Sequence, residues 1–137
     1  MTILESLLEQ VKQATGREIA LEREIMCTVG GWQRLSPSQH PRNHKHPMFV
    51  DTQEGYGTFE GRTLYRDVPR IMESVDAAVA LVERKFPNSM KRVFDNPDDG
   101  SSRAELVTET GLISGGDAET WPLAILAAAL SALIAQG

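Results

Sequence analysis

The segment at residues 120–136, TWPLAILAAALSALIAQ, constrains the fold most, because it contains no charged residue. A helix with this sequence is apolar on every side, so other elements of the protein must surround it. Thr120 is a candidate N-cap, and Pro122 lies in the first turn, where a helix accepts proline. A bilayer span needs about twenty apolar residues, and this segment is shorter. We therefore expect a buried central helix rather than a membrane anchor.

Capping residues and apolar stripes predict three further helices. Thr2 and Glu5 form a capping box at the start of the first helix. Leu21 and apolar residues that follow predict a second helix that ends at Gly30-Gly31, with Glu22 on its solvent-facing side. Ser74 is the predicted cap of the third helix, at residues 74–86. Its inward stripe is predicted to be Val75, Val79, Val82 and Phe86.

The remaining elements are predicted to be short strands and loops. MKRVFD and SRAELVTET flank the turn signal NPDDGS, which is typical of an antiparallel hairpin. The glycines of SGGD, at residues 114–117, indicate a loop into the final helix. Residues 32–66 are predicted to be irregular, with short strands at 48–50 and 63–65. The sequence therefore predicts an α+β fold, with the last helix packed on the third helix and on the hairpin.

Composition limits the classes of function. The 137 residues predict one domain over 1–137, and 14 basic against 19 acidic residues give a net charge of −5. This charge argues against bulk nucleic-acid binding and against binding to acidic membranes. The single cysteine, Cys27, excludes an internal disulfide framework and is expected to be a small buried residue. The first residues lack the basic region of a signal peptide, so we expect a cytoplasmic protein.

Three spaced segments resemble the phage ABA sandwich family. They are LEREIMCTVGGW, VPRIMESVDAAVALVERKFPN and TWPLAILAAALSALIA, in the same order as in the family. The resemblance implies a small α-β-α sandwich of about four helices with a small antiparallel sheet, encoded by a phage or prophage. The family has no established activity, so the resemblance implies no catalytic residues. A counter-defence role in a bacterial host is the function that its phage context suggests.

The irregular middle of the chain is a basic region on an acidic body. Between residues 34 and 70 there are six basic and four acidic residues, whereas the rest of the chain is net acidic. Arginine donates paired hydrogen bonds to phosphate or carboxylate, and aromatic rings offer stacking surfaces. This composition predicts a site for an anionic small molecule, or a surface for a host protein. The alternative is that the arginines form salt bridges with acidic helices. The predicted ligand-binding residues are Arg42, His44, Lys45, His46, Arg62, Tyr65, Arg66 and Arg70.

The three histidines, His40, His44 and His46, all lie within seven residues and suggest a metal site as an alternative. No regular element aligns all three, and the prolines at 41 and 47 oppose a continuous helix, which favours a solvated loop. The chain contains no nucleophile elbow and no phosphate-binding loop motif.

We therefore predict a non-catalytic binding protein without metal or cofactor. A small metal-dependent enzyme that uses the histidine cluster is the first alternative. A virion or assembly component is the second, and homo-oligomer formation is left open.

Overall fold

The computed structural model describes residues 1–35, 48–52 and 64–137. The chain divides into two compact units. Unit 1 combines Met1–Leu21 with Arg70–Gly137, and unit 2 is Glu22–Pro69. The described residues form four helices and two three-stranded antiparallel sheets. The predicted α+β class with about four helices is therefore confirmed, whereas one domain over residues 1–137 stays a prediction.

The first two helices begin and end close to where the sequence predicts. Helix α1 is Ile3–Gln13, and helix α2 is Ile19–Thr28. The Thr2 hydroxyl accepts the backbone N–H of Glu5 at 3.2 Å and also donates to the Glu5 carboxylate. The first of these bonds satisfies a backbone donor that a helix start otherwise leaves free, so the predicted Thr2 cap is confirmed, whereas the Glu5 carboxylate accepts from the Thr2 hydroxyl and not from its backbone N–H. The buried residues of α1 are Leu7 and Val11.

Helix α3 is Val75–Lys85, and it packs through a face slightly rotated from the predicted one. The Ser74 side chain accepts the backbone N–H of Ala77, as expected of an N-cap. Val75 is 36% exposed, so its predicted inward position is wrong. The buried residues keep helical spacing and share Val82 and Phe86 with the predicted stripe, but Ala78 and Leu81 take the place of Val75 and Val79.

Helix α4, Trp121–Gln136, is the centre of unit 1. Its residues 122–130 and 132 are buried, and it contacts α1, α3 and the sheet of unit 1. The predicted packing of this helix on the third helix and on the hairpin is therefore confirmed. Thr120 occupies the N-cap position but makes no side-chain cap hydrogen bond. No helix in the described parts of the chain is long and apolar enough to cross a membrane.

The sheet of unit 1 contains the predicted hairpin and one strand that the sequence reading missed. Strands β4 (Met90–Asp95), β5 (Ser102–Val107) and β6 (Ile113–Ala118) pair in the order β4-β5-β6. Gly100 has a φ of 74° in the hairpin turn, a conformation that favours glycine. The prediction of a loop at residues 114–117 is wrong, because these residues lie within β6.

The glycines of β6 permit close packing instead of breaking the strand. A Cβ atom added to Gly116 would lie 2.4 Å from the backbone nitrogen of Ala128 in α4. The Ser114 hydroxyl donates to the Ala128 carbonyl at 2.9 Å. The strand and the helix backbone therefore approach each other directly at this point, which a larger residue would prevent.

Unit 2 contains a second antiparallel sheet after α2. Its strands are β1 (Trp32–Leu35), β2 (Met48–Asp51) and β3 (Leu64–Tyr65), in the order β1-β2-β3. The predicted strand near 48–50 is confirmed, and the one near 63–65 is confirmed for its described residues. Strand β1 was not predicted, because Trp32 stands at the start of the apparently irregular region. The backbone N–H of Thr52 donates to the Gly31 carbonyl at 2.9 Å, next to the start of β1.

Candidate functional site

The strand register of unit 2 brings aromatic and charged residues onto one face of its sheet. Arg34 pairs with Phe49, and Phe49 pairs with Tyr65, so these three residues form a row across the strands. The pair of Trp32 and Asp51 lies two positions along the strands from the pair of Arg34 and Phe49. Because side chains two positions apart on a strand share a face, Trp32 lies on the same face as this row. We call Trp32, Phe49 and Tyr65 the aromatic cluster.

Trp32 has a polar group without a partner inside this cluster. Its side chain is buried, with 8% of the residue exposed, and its ring centroid lies 4.9 Å from that of Tyr65 at an interplanar angle of 52°. The buried indole Nε1 has no hydrogen-bond acceptor in the described structure. The second tryptophan differs, because the Trp121 Nε1 donates to Asp95 at 2.9 Å. An unpaired buried N–H costs about 1–3 kcal/mol, so a ligand that supplies an acceptor to this donor gains binding free energy.

An arginine and an aspartate flank the cluster as a paired group. The Arg23 guanidinium donates to both carboxylate oxygens of Asp67, at 3.0 and 3.1 Å. The same guanidinium lies 5.5 Å from the centroid of the Phe49 ring. The hydrogen bond to Asp67 raises the pKa of Arg23 above its ordinary value. This ion pair therefore fixes the α2 side chain over the cluster and leaves little of its charge for an external anion.

The exposed positive charges near the cluster are Arg34 and Arg66. Arg34 projects from the same row as Tyr65 and is exposed, and Arg66 follows Tyr65 and is also exposed. The combined site offers the half-buried Tyr65 ring, one buried N–H donor and exposed guanidinium groups. Such a set suits a planar ligand that carries an acceptor and a negative charge.

Only three of the predicted ligand-binding residues lie in the described part of the chain. Tyr65 joins the aromatic cluster, and Arg66 is next to it in unit 2. Arg70 belongs to unit 1, where its guanidinium pairs with Glu73 at 3.0 Å. The other predictions lie outside the described residues: Arg42, His44, Lys45, His46 and Arg62.

The histidine cluster proposed as a metal site also falls outside the described residues. Within 1–35, 48–52 and 64–137, no group of three histidine, cysteine or acidic side chains is arranged to hold a metal ion. The metal-dependent alternative therefore stays a prediction.

Two expectations about helix α2 are wrong. Glu22 was expected to face solvent, but it is fully buried. Cys27 was expected to be buried, but it is exposed. Partial desolvation of the Cys27 thiol raises its pKa, an effect opposed by the backbone N–H and the charge of Arg34.

Sequence reasoning missed Trp32, Arg23 and Asp67 as parts of this site. The Arg23–Asp67 pair joins residues 44 positions apart, and no local sequence pattern predicts such a contact. The signal that existed was the tryptophan directly after Gly30-Gly31, since a large aromatic residue at a chain reversal often begins a strand.

Comparison with known proteins identifies no relative. No protein-family model, curated protein or solved structure matches this chain. The resemblance to the phage ABA sandwich family therefore stays a prediction from three sequence patterns.

Proposed function

We propose that this protein is a non-catalytic binding protein whose aromatic cluster takes an anionic, planar small molecule. The observation that carries the proposal is the buried Trp32 indole N–H, which has no acceptor among the described residues. A ligand that places an oxygen or ring nitrogen at this donor recovers the free energy that the unpaired group costs. The groups that carry the proposal are a hydrogen-bond donor, an aromatic ring and a guanidinium group, which bind a ligand without reacting with it, so binding is the proposed role.

Each part of the proposed ligand corresponds to one feature of the cluster. The half-buried ring of Tyr65, tilted against the buried ring of Trp32, provides the surface for a flat ring system. The exposed guanidinium of Arg34, in the same row as Tyr65, provides a charge-assisted partner for a phosphate or carboxylate. A nucleotide-like molecule combines these properties. A host protein that presents an acidic residue beside an aromatic one is the second ligand class of the proposal.

The biological setting of this proposal comes from the sequence. The three segments that resemble the phage family suggest a phage or prophage protein in the cytoplasm of a bacterial host. There the protein would act in counter-defence, by withdrawing an anionic small molecule from the host. The net charge of −5 argues that the ligand is not bulk nucleic acid.

The proposal can be tested through the fluorescence of Trp32. In Trp121→Phe protein, Trp32 is the only tryptophan, so its emission reports on the cluster alone. We expect adenosine 5′-monophosphate to change this emission in a saturable way, and adenosine or inorganic phosphate alone to bind more weakly. Trp32→Phe keeps an aromatic ring but removes the N–H, and it should weaken binding about tenfold. Binding to Trp32→Phe is measured by calorimetry, because this variant lacks the Trp32 fluorescence.

Two matched variants show whether the cluster is the binding site. Arg34→Gln removes the exposed charge from the row of Phe49 and Tyr65, and Arg92→Gln removes an exposed arginine from unit 1. Binding that weakens with the first variant and not with the second supports the site. Binding that is equal in Trp32→Phe, Arg34→Gln and the parent protein rules out the aromatic cluster as the binding site.

A further inference from the structure

The sheet of unit 1 has one face that α4 does not cover. Strand pairing places Met90, Val107 and Ile113 in one row on this face, and Arg92, Glu105 and Gly115 in the next. Phe94, Arg103 and Asp117 form the third row. We call these nine residues the open face. The alternate residues of the strands, which include Ala104, Leu106 and Gly116, face α4 instead.

The first row of the open face is apolar and exposed. Met90 is 73% exposed and Ile113 is 72% exposed, and half-buried Val107 lies between them. A shallow groove of about 400 Å³ runs over these three side chains and over Arg92 and Glu105. Among the described strands, Met90 and Ile113 are the large apolar side chains that are mostly exposed. A contiguous apolar patch rimmed by polar groups is the usual mark of an interaction surface.

The charges of the open face cancel one another. Arg92 pairs with Glu105, and Arg103 donates to Asp117 at 2.7 Å. The Arg92 guanidinium also lies over the Phe94 ring, 5.3 Å from its centroid. The face therefore sums to zero charge, whereas the whole chain carries −5. Two copies of an acidic chain repel each other through most surfaces, and a neutral face with an apolar row is where they can meet.

We propose that the open face binds the open face of a second copy of this chain. A two-fold axis along β5 places Met90 of one copy opposite Ile113 of the other, and the reverse, with Val107 at the axis. Such an isologous contact needs one self-complementary patch, which this row provides. The same axis places Glu105 opposite Glu105 and Arg103 opposite Arg103 of the second copy. Each of these groups keeps its oppositely charged partner within its own copy, so no unpaired charge is buried, and the attraction comes from the apolar row.

The size of the open face predicts a weak dimer. Three strands about 4.8 Å apart and six residues long, at about 3.4 Å per residue, give a flat area of about 300 Å². Allowing for side-chain relief, a dimer buries roughly 1,000 Å² in total, the lower limit for a specific interface. We expect a reversible dimer with a dissociation constant between about 10 µM and about 1 mM.

Sedimentation equilibrium of the full chain over that concentration range tests the proposal. The apparent mass should rise from one copy towards two, and Ile113→Lys should weaken the association at least tenfold. Ile3→Lys is the matched control, because Ile3 is 56% exposed on α1, away from the open face. Far-UV circular dichroism establishes that each variant is folded.

Amide chemical shifts recorded on dilution provide an independent reading. The shifts that change with concentration should lie in β4, β5 and β6 and be largest at the row of Met90, Val107 and Ile113. Two results overturn the proposal. One is a protein that remains a single copy at about 1 mM. The other is a dimer that forms through another surface. Such a dimer would be unchanged by Ile113→Lys, or its concentration-dependent amide shifts would lie outside β4, β5 and β6.

Discussion

The close contact between β6 and α4 predicts that alanine is tolerated differently at two neighbouring glycines, Gly115 and Gly116. A Cβ atom at Gly116 would lie 2.4 Å from the backbone nitrogen of Ala128 and 2.7 Å from the carbonyl carbon of Ala127. A Cβ atom at Gly115 would also meet an atom at 2.4 Å, but that atom is the terminal Nη2 of Arg103. The same substitution therefore meets helix backbone at one position and a flexible side chain at the next.

The expected costs differ because only one neighbour can move away. Neither glycine has a positive φ, so alanine fits the backbone at both positions. In Gly116→Ala the sheet and α4 must separate, and because the clash is with helix backbone the cost lies near the upper end of the usual range for overpacking, at about 3 kcal/mol. The stiffer unfolded chain returns about 0.4–1 kcal/mol, which leaves a net loss of about 2 kcal/mol. Gly115→Ala displaces Arg103 from Asp117, and that exposed pair contributes at most about 1 kcal/mol.

Urea unfolding followed by far-UV circular dichroism measures both variants. For a domain of this size, a loss of about 2 kcal/mol lowers the urea midpoint by about 1 M with little change in slope. We expect that shift for Gly116→Ala and less than half of it for Gly115→Ala. If the two variants unfold at the same midpoint, the close approach of β6 to α4 is not what requires glycine, and the reasoning fails.

Three further predictions concern caps and titrating groups. Ser74→Ala should destabilise the protein by about 1 kcal/mol, because the Ser74 side chain caps α3. Thr120→Ala should cost little stability, because the Thr120 side chain makes no cap hydrogen bond. Thermal unfolding of the two variants compares these costs. Cys27 should react with iodoacetamide more slowly than free glutathione does at pH 7.5, because desolvation raises the pKa of its thiol. The rate of this reaction should increase at alkaline pH. Mass spectrometry of timed samples measures the rate. The hydrogen bond from Lys91 lowers the pKa of Glu83, so the stabilising charge pair exists above the ordinary glutamate pKa and is lost as pH falls through the lowered value. Lys91→Met should move the Glu83 titration midpoint, read by NMR, upwards to the ordinary range, and an unmoved midpoint would contradict the pairing.

Much of unit 1 could be predicted from its sequence because its signals are local. The Thr2–Glu5 cap, the Ser74 cap and the uncharged final helix each act within a few residues, and the structure confirms all three. Strand β6 could not be predicted, since consecutive glycines ordinarily indicate a loop. Its glycines are required by the helix that packs against them, and that helix is a tertiary neighbour.

The candidate site was harder to predict than the fold. Composition indicated a basic region with aromatic residues, and Tyr65 was identified in this way. The unpaired donor of Trp32 and the Arg23–Asp67 pair depend on strand register and on a contact between distant parts of the chain. Glu22 shows the same limit, because its position among charged residues suggested exposure although the fold buries it.

The discontinuity of unit 1 has a consequence for synthesis on the ribosome. Helix α1 and helix α4 contact each other, but all of unit 2 is translated between them. When α1 leaves the exit tunnel, the helix that contacts it has not yet been made, and contacts across such a separation form slowly. Unit 2 is continuous and can close earlier. We expect the apolar side of α1, with Leu7 and Val11, to be a chaperone-binding segment of the nascent chain until α4 emerges.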